Sequence, residues 1–138
     1  MATEIVKQTI GNCEYSVQQW PPSTALPMKF RLIGIFGKSI PNIIAVAQEK
    51  DDAKQAEVLF EEISGIIEKT GPEQLAQLVK EVVCSANRSV MGGEFERLNA
   101  TKFEEIYGNN FMEMYQVFAF VIKANYGDFF NGLDLKNL

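Results

Sequence analysis

The stretch TEIVKQTIGNCEYSVQQWPP, residues 3–22, decides the fold class. Two runs of alternating character, TEIVKQTI and CEYSVQQW, flank Gly11-Asn12, a two-residue connection of the kind that closes a β-hairpin. With Gly11 and Asn12 as the loop, Ile10 faces Cys13, Gln8 faces Tyr15 and Val6 faces Val17. One face of the hairpin is then mostly apolar, while Lys7, Thr9, Glu14, Ser16 and Gln18 share the other. Trp20-Pro21-Pro22 ends the pairing, because proline has no N–H to donate and biases its predecessor toward extended geometry.

Downstream of the hairpin the period changes from two to about three and a half. Ser23 or Thr24 can cap a helix holding Leu26, Met28, Phe30, Leu32, Ile33, Ile35 and Phe36, with Pro27 tolerated in its first turn and Gly37 ending or bending it. A short second helix is expected in SIPNIIAVAQEK (39–50), with Ser39 as cap and Pro41 near its start. In DDAKQAEVLFEEISGIIEK (51–69), Ala56, Leu59, Phe60, Ile63, Ile66 and Ile67 recur at three- and four-residue steps opposite the acids, and Gly71 closes the helix. Thr70-x-x-Glu73 reads as a capping box for the next helix, with Pro72 early and Leu75, Leu78, Val79, Val82 and Val83 on its buried side.

NRSVMGGEFERLN (87–99) breaks the helical rhythm, and Gly92-Gly93 suggests a short hairpin or ordered loop at 89–98. The last region is helical with an interruption at Gly108-Asn109-Asn110, and its main helix is expected from about Asn110 to Tyr126. Phe111, Met114, Tyr115, Phe118, Val121, Ile122 and Asn125 form one stripe and Phe120 lies off it, so this helix is apolar around more than half its girth. Gly127 is expected to stop it ahead of Phe129 and Phe130. The fold class is therefore α+β and mostly α-helical: an N-terminal β-hairpin (1–20), a helical region (23–88), a short hairpin (89–98) and a C-terminal helical region (99–138), about five helices in one domain of 138 residues.

Composition narrows the chemistry. The chain has a net charge of −5 and no concentrated basic face, which argues against nucleic acid as partner. It contains no histidine, which removes the commonest general base and most transition-metal sites. The acid pairs Asp51-Asp52, Glu61-Glu62 and Glu104-Glu105 are sequence neighbours on helices and do not converge on a substrate. GIFGKS (34–39) ends like a phosphate-binding loop, but Leu32 stands where the motif needs its first glycine. Cys13 and Cys84 sit singly in apolar contexts and read as reduced thiols. The first residues lack the apolar core of a secretory signal, and the longest apolar runs are too short for a bilayer, so no membrane association is expected. No catalytic, cofactor or metal residues are assigned, and the expected chain is not an enzyme.

Aromatic side chains remain the notable resource. Phe111, Tyr115, Phe118, Phe120, Tyr126, Phe129 and Phe130 crowd into twenty residues, and with Ile122 they are the candidate partner-binding residues. A helix apolar on several sides needs several neighbours, supplied by its own chain or by another.

The order of elements resembles one family. EYSVQQWPPSTALPMKFRLIGIFG (14–37), DDAKQAEVLFEEISGII (51–67), PEQLAQLVKEVV (72–83) and FEEIYGNNFMEMYQVFAFVIKANYGDFF (103–130) together resemble the tail assembly chaperones of tailed bacteriophages. The most specific part is the ending FAFVIKANYGDFF (118–130), while VMGGEF (90–95) stands where a less glycine-rich turn is expected. The resemblance implies a non-catalytic protein in the cytoplasm of the bacterial host cell, one that binds the helical tape measure protein, keeps it soluble and helps recruit tail tube subunits. A minor structural protein of the tail or neck is the alternative. An apolar surface awaiting a client can also be covered by a second copy, giving a homo-oligomer.

Overall fold

The computed structural model describes residues 5–37, 42, 45, 51–90 and 92–132; the side chains of residues 52, 53, 55, 56, 59, 60 and 126–132 are not among those described. Strands β1 (Ile5–Ile10) and β2 (Cys13–Gln18) form the first hairpin, followed by helices α1 (Pro22–Phe36), α2 (Asp52–Lys69) and α3 (Pro72–Val83). Strands β3 (Asn87–Val90) and β4 (Glu96–Arg97) come next, then helices α4 (Ala100–Tyr107) and α5 (Phe111–Gly132). Most of the second helix expected at 39–50 lies outside the described residues; of it, Asn42 and Ala45 are helical.

The hairpin register follows the sequence pattern: Ile10 pairs with Cys13, Gln8 with Tyr15 and Val6 with Val17. Its tertiary placement adds what the pattern lacks. β2 pairs on its far side with β3, joining two hairpins into one antiparallel sheet of order β1-β2-β3-β4. The second hairpin therefore begins at Asn87 rather than at 89, and Ser16, on the polar face of β2, is buried, with the Asn87 amide donating to its hydroxyl at 3.5 Å. The glycines of VMGGEF make the turn: Gly92 has φ +81°, and the Gly93 N–H donates to the Val90 carbonyl at 2.9 Å.

Gly11 reaches φ +62°, a conformation L-residues adopt at a cost of roughly 1–2 kcal/mol. A Cβ there would also stand 2.6 Å from the Glu113 carboxylate. Gly11→Ala is therefore expected to destabilise the chain by at least about 1–2 kcal/mol, read as a shift of the urea midpoint at constant slope.

Several helix ends differ from the expected ones. α1 begins at Pro22 with Pro21 as its cap residue and no side-chain cap, so Pro27 lies in the second turn rather than the first. Gly37, at φ +53°, ends the helix, its N–H donating to Ile33 O. α2 starts after Asp51, whose side chain accepts from the Lys54 N–H at 3.4 Å. Gly71 has φ −59° and serves as the N-cap of α3 instead of closing α2, with no side-chain cap, so the capping box does not form. Pro72 at the first position presets helical φ and lacks the N–H that would need a cap. α5 runs through Gly127 to Gly132. One helical glycine costs only about 1 kcal/mol relative to alanine, which a cooperative helix of this length absorbs.

α5 is the axis of the molecule. Six consecutive residues, Val117 to Ile122, are buried, which a helix achieves only with neighbours on all sides. α3 supplies one wall with Leu75, Leu78, Val79, Val82 and Val83, all buried as the spacing predicts, while β1 and β2 pack across α5 with Ile10, Tyr15 and Val17. Phe36 of α1 packs on Phe118 with ring centroids 5.5 Å apart. Where the hairpin leaves the sheet, the Trp20 N–H donates to the Asn125 side chain at 2.7 Å and Gln19 to the Ala124 carbonyl at 2.8 Å. The core cluster draws on every described helix and on the first hairpin. Among the described residues no helix is long and apolar enough to cross a membrane.

Candidate functional site

A groove of about 540 Å³ opens where four helices meet, lined by apolar side chains. Ile63 and Ile67 come from the last turns of α2, and the exposed Ala76 and the buried Val79 from α3. Phe103 belongs to α4, and Phe111, Met114 and Tyr115 to the start of α5. The short links Thr70-Gly71 and Gly108–Asn110 separate α2 from α3 and α4 from α5.

Exposure changes sharply between close neighbours around the groove. Ile66 is 4 % exposed and points into the core, whereas its neighbour Ile67 is 41 % exposed at the groove. Phe111, in the first turn of α5, is 63 % exposed, while Met114 one turn on is buried. Phe103 is held edge-on to Tyr107, with ring centroids 5.5 Å apart, and lies 5.9 Å from the Lys80 ammonium. Charged groups at the lining are Glu73, Lys80 and Glu104, the last two 3.9 Å apart. Burial pushes the Tyr115 hydroxyl above the ordinary tyrosine pKa.

The eight candidate residues are divided by the structure. Phe111 and Tyr115 line the groove. Phe118, Phe120 and Ile122 are buried in the core of their own chain, because α5 is packed on every side and their side chains join the core cluster with α1, α3 and the sheet. The side chains of Tyr126, Phe129 and Phe130 lie outside the described residues, although their backbone continues α5. Sequence reasoning missed Ile63, Ile67 and Phe103 as surface. No separate signal marked them: Ile66-Ile67 looks in sequence like Leu78-Val79 and Val82-Val83 of α3, whose members are all buried.

Beside the groove stands a polar cluster that the sequence does not announce. Tyr15, wholly buried, donates its hydroxyl proton to Glu113 at 2.5 Å and lies 2.8 Å from the Tyr107 hydroxyl. The Arg88 Nε–H donates to Tyr15 at 3.0 Å, and Asn110 donates to the other Glu113 oxygen at 3.2 Å. With Tyr15 giving its proton to Glu113, Tyr107 donates to the Tyr15 oxygen, so each buried polar atom has a partner and β2, β3, α4 and the start of α5 are tied together. A network of this kind holds the start of α5, with Phe111, Met114 and Tyr115, in place. Among the described residues no group of acids and cysteines could hold a metal ion.

Burial raises the pKa of Tyr107 to about 12, and burial followed by the hydrogen bond to Glu113 raises that of Tyr15 further. Above the ordinary tyrosine pKa of about 10 the unfolded chain loses protons that the folded chain keeps. The stabilisation is thus complete below about pH 10 and is lost as pH rises through about 12, with a slope approaching 1.4 kcal/mol per pH unit for each tyrosine. Urea unfolding between pH 9 and 12 checks this: stability falls with pH, and Tyr107→Phe gives a shallower fall.

A model of the family described as phage tail assembly chaperone protein, TAC, matches residues 11–134, nearly the whole chain. The chain belongs to the phage tail assembly chaperone family. The match includes the hairpin strand β2, every described helix and the network residues Tyr15, Arg88, Tyr107 and Glu113. No curated protein sequence and no solved structure matches the chain.

Proposed function

We propose that this chaperone binds the phage tape measure protein in the cytoplasm of the bacterial host cell, without catalysis, and so promotes assembly of the tail tube. The groove receives an amphipathic helix of the client. The observation that carries this reading is the pairing of an apolar trough with exposed Phe111 and Ile67 at its edge, the arrangement by which helix-in-groove recognition works. A long helical client presents stripes at positions i, i+3, i+4 and i+7, and such stripes aggregate unless covered. The net charge of −5 favours solubility of the covered complex. A sequence without histidine is consistent with a binding role.

Co-expression with the tape measure protein of the same phage tests the proposal. The client is expected to stay in the soluble fraction and to co-purify with the chaperone, and a client equally soluble alone would refute it. A mass-spectrometric inventory of purified virions distinguishes the alternative: a chaperone is absent from particles, a minor structural protein of the tail or neck is present.

A further inference from the structure

β1 is an edge strand: among the described residues no strand pairs with its far side. Ile10 and Cys13 close a two-residue turn as a hydrogen-bonded pair, so Val6, Gln8 and Ile10 direct their backbone groups at β2, while those of Ile5, Lys7 and Thr9 point to the open edge. A cleft of about 360 Å³ lies under that edge, between β1 and α5. Val6 and Gln8 line it but their partners Val17 and Tyr15 do not, which places it on the side of β1 away from β2. Phe120 and Ala124 of α5 supply its apolar surface, and the exposed Lys123 stands at its rim. The Gln19 side chain, donating to the Ala124 carbonyl at 2.8 Å, ties the end of β2 to α5 at one side of it. We propose that β1 takes up an extended segment of a partner protein as a further strand, with alternate apolar side chains of the segment seated in the cleft and acidic ones beside Lys7 and Lys123.

Charge and geometry select this occupant. β1 carries Lys7 and no acid, and among the described residues the charged group lining the cleft is Lys123. Both call for a segment with acids. A second β1 paired across a two-fold axis would set Lys7 close to its own counterpart, and a lysine in such a place keeps an edge from pairing with itself. A helix cannot use the open backbone groups, because its own are already bonded along its axis. An extended segment can, and its period of two delivers every second side chain to the cleft. Lying about 4.8 Å from β1, the added strand covers Phe120 and Ala124 instead of standing in solvent. The cleft and the four-helix groove share no residue, so this binding is separate from that of a client helix.

The probe is a synthetic peptide alternating valine with aspartate and threonine, titrated against the full chain by fluorescence anisotropy and followed by amide exchange in NMR spectra. Saturable binding is expected, with slowed exchange at Lys7 and Thr9 and little change at Val6 and Gln8, whose N–H groups already bond to β2. Only one edge of an added strand faces β1. Methylating one alternate set of peptide nitrogens therefore abolishes binding, and methylating the other set leaves it unchanged. Thr9→Pro removes an outward N–H and no bond of the hairpin, so the chain stays folded by thermal melt and binds at least about tenfold more weakly. Lys7→Pro repeats the test at the next outward position. Lys123→Glu weakens binding of the acidic peptide but not of one with lysine in place of aspartate. Absence of saturable binding, an equal response to the two methylated sets, a folded proline variant that binds like the wild type, or an acidic peptide indifferent to Lys123→Glu overturns the proposal. The groove variant Phe111→Asp with Ile67→Asp is expected to keep the peptide, and loss of binding there would place the peptide in the groove and overturn the edge site.

Discussion

Phe118→Ala is expected to lower stability by about 3–5 kcal/mol, whereas Phe111→Ala, seven residues earlier on the same helix, changes it by no more than about 0.5 kcal/mol. The two phenylalanines share a sequence stripe but not an environment. Phe118 is 3 % exposed and packs on Phe36, so truncation removes the contact that joins α1 to α5 and leaves a cavity that neighbours on every side of α5 cannot fill. Phe111 stands in solvent at the edge of the groove and leaves no cavity behind. Against a usual total of about 5–15 kcal/mol, the loss at Phe118 is a large share, and Phe118→Leu, which keeps most of the volume, should recover most of it. Urea unfolding of the three variants at neutral pH measures the order. Equal costs at 118 and 111 would mean that α5 does not sit as described.

Phe111→Asp combined with Ile67→Asp has the opposite signature: fold retained, client lost. Both side chains are largely exposed, so the melting temperature should hold to within a few degrees, while two charges now line a trough that must be dry to hold an apolar helix. Loss of an apolar anchor that a client helix covers typically costs about 2 kcal/mol or more of binding, at least about 25-fold in affinity for each position. In co-expression the tape measure protein is expected to move from the soluble to the insoluble fraction, with the chaperone itself still soluble. A tape measure protein that remains soluble with the double variant would place the client surface elsewhere.

The same comparison of Phe111 and Phe118 explains what was readable in advance. Period-two alternation around Gly11-Asn12 specified the hairpin and its register, because a slip by one residue would turn Tyr15 and Val17 to the solvent. The apolar spacing of α3 specified its buried side residue by residue, since a helix with one apolar stripe has one way to face a core. α5 offered no such single answer. A helix apolar on most of its girth states that it has many neighbours without stating which, so Phe118, Phe120 and Ile122, for all their fitness for a core, stood among the candidates for a partner surface. Gly127 looked like a stop signal because local propensity disfavours glycine in a helix, yet a penalty of about 1 kcal/mol yields to a longer helix.

Periodicity, turn residues and the absence of histidine are properties of neighbouring positions along the chain, so the sequence alone determined an α+β chain of one hairpin and several amphipathic helices with little means of acid–base chemistry. Only the tertiary structure decided that β3 joins β2 in one sheet, that Tyr15, Arg88, Tyr107 and Glu113 close a buried network, and that Ile67, Phe103 and Phe111 share one groove. Those relations link residues dozens of positions apart, and packing energy, which depends on which surfaces meet, leaves no periodic trace in either segment taken by itself.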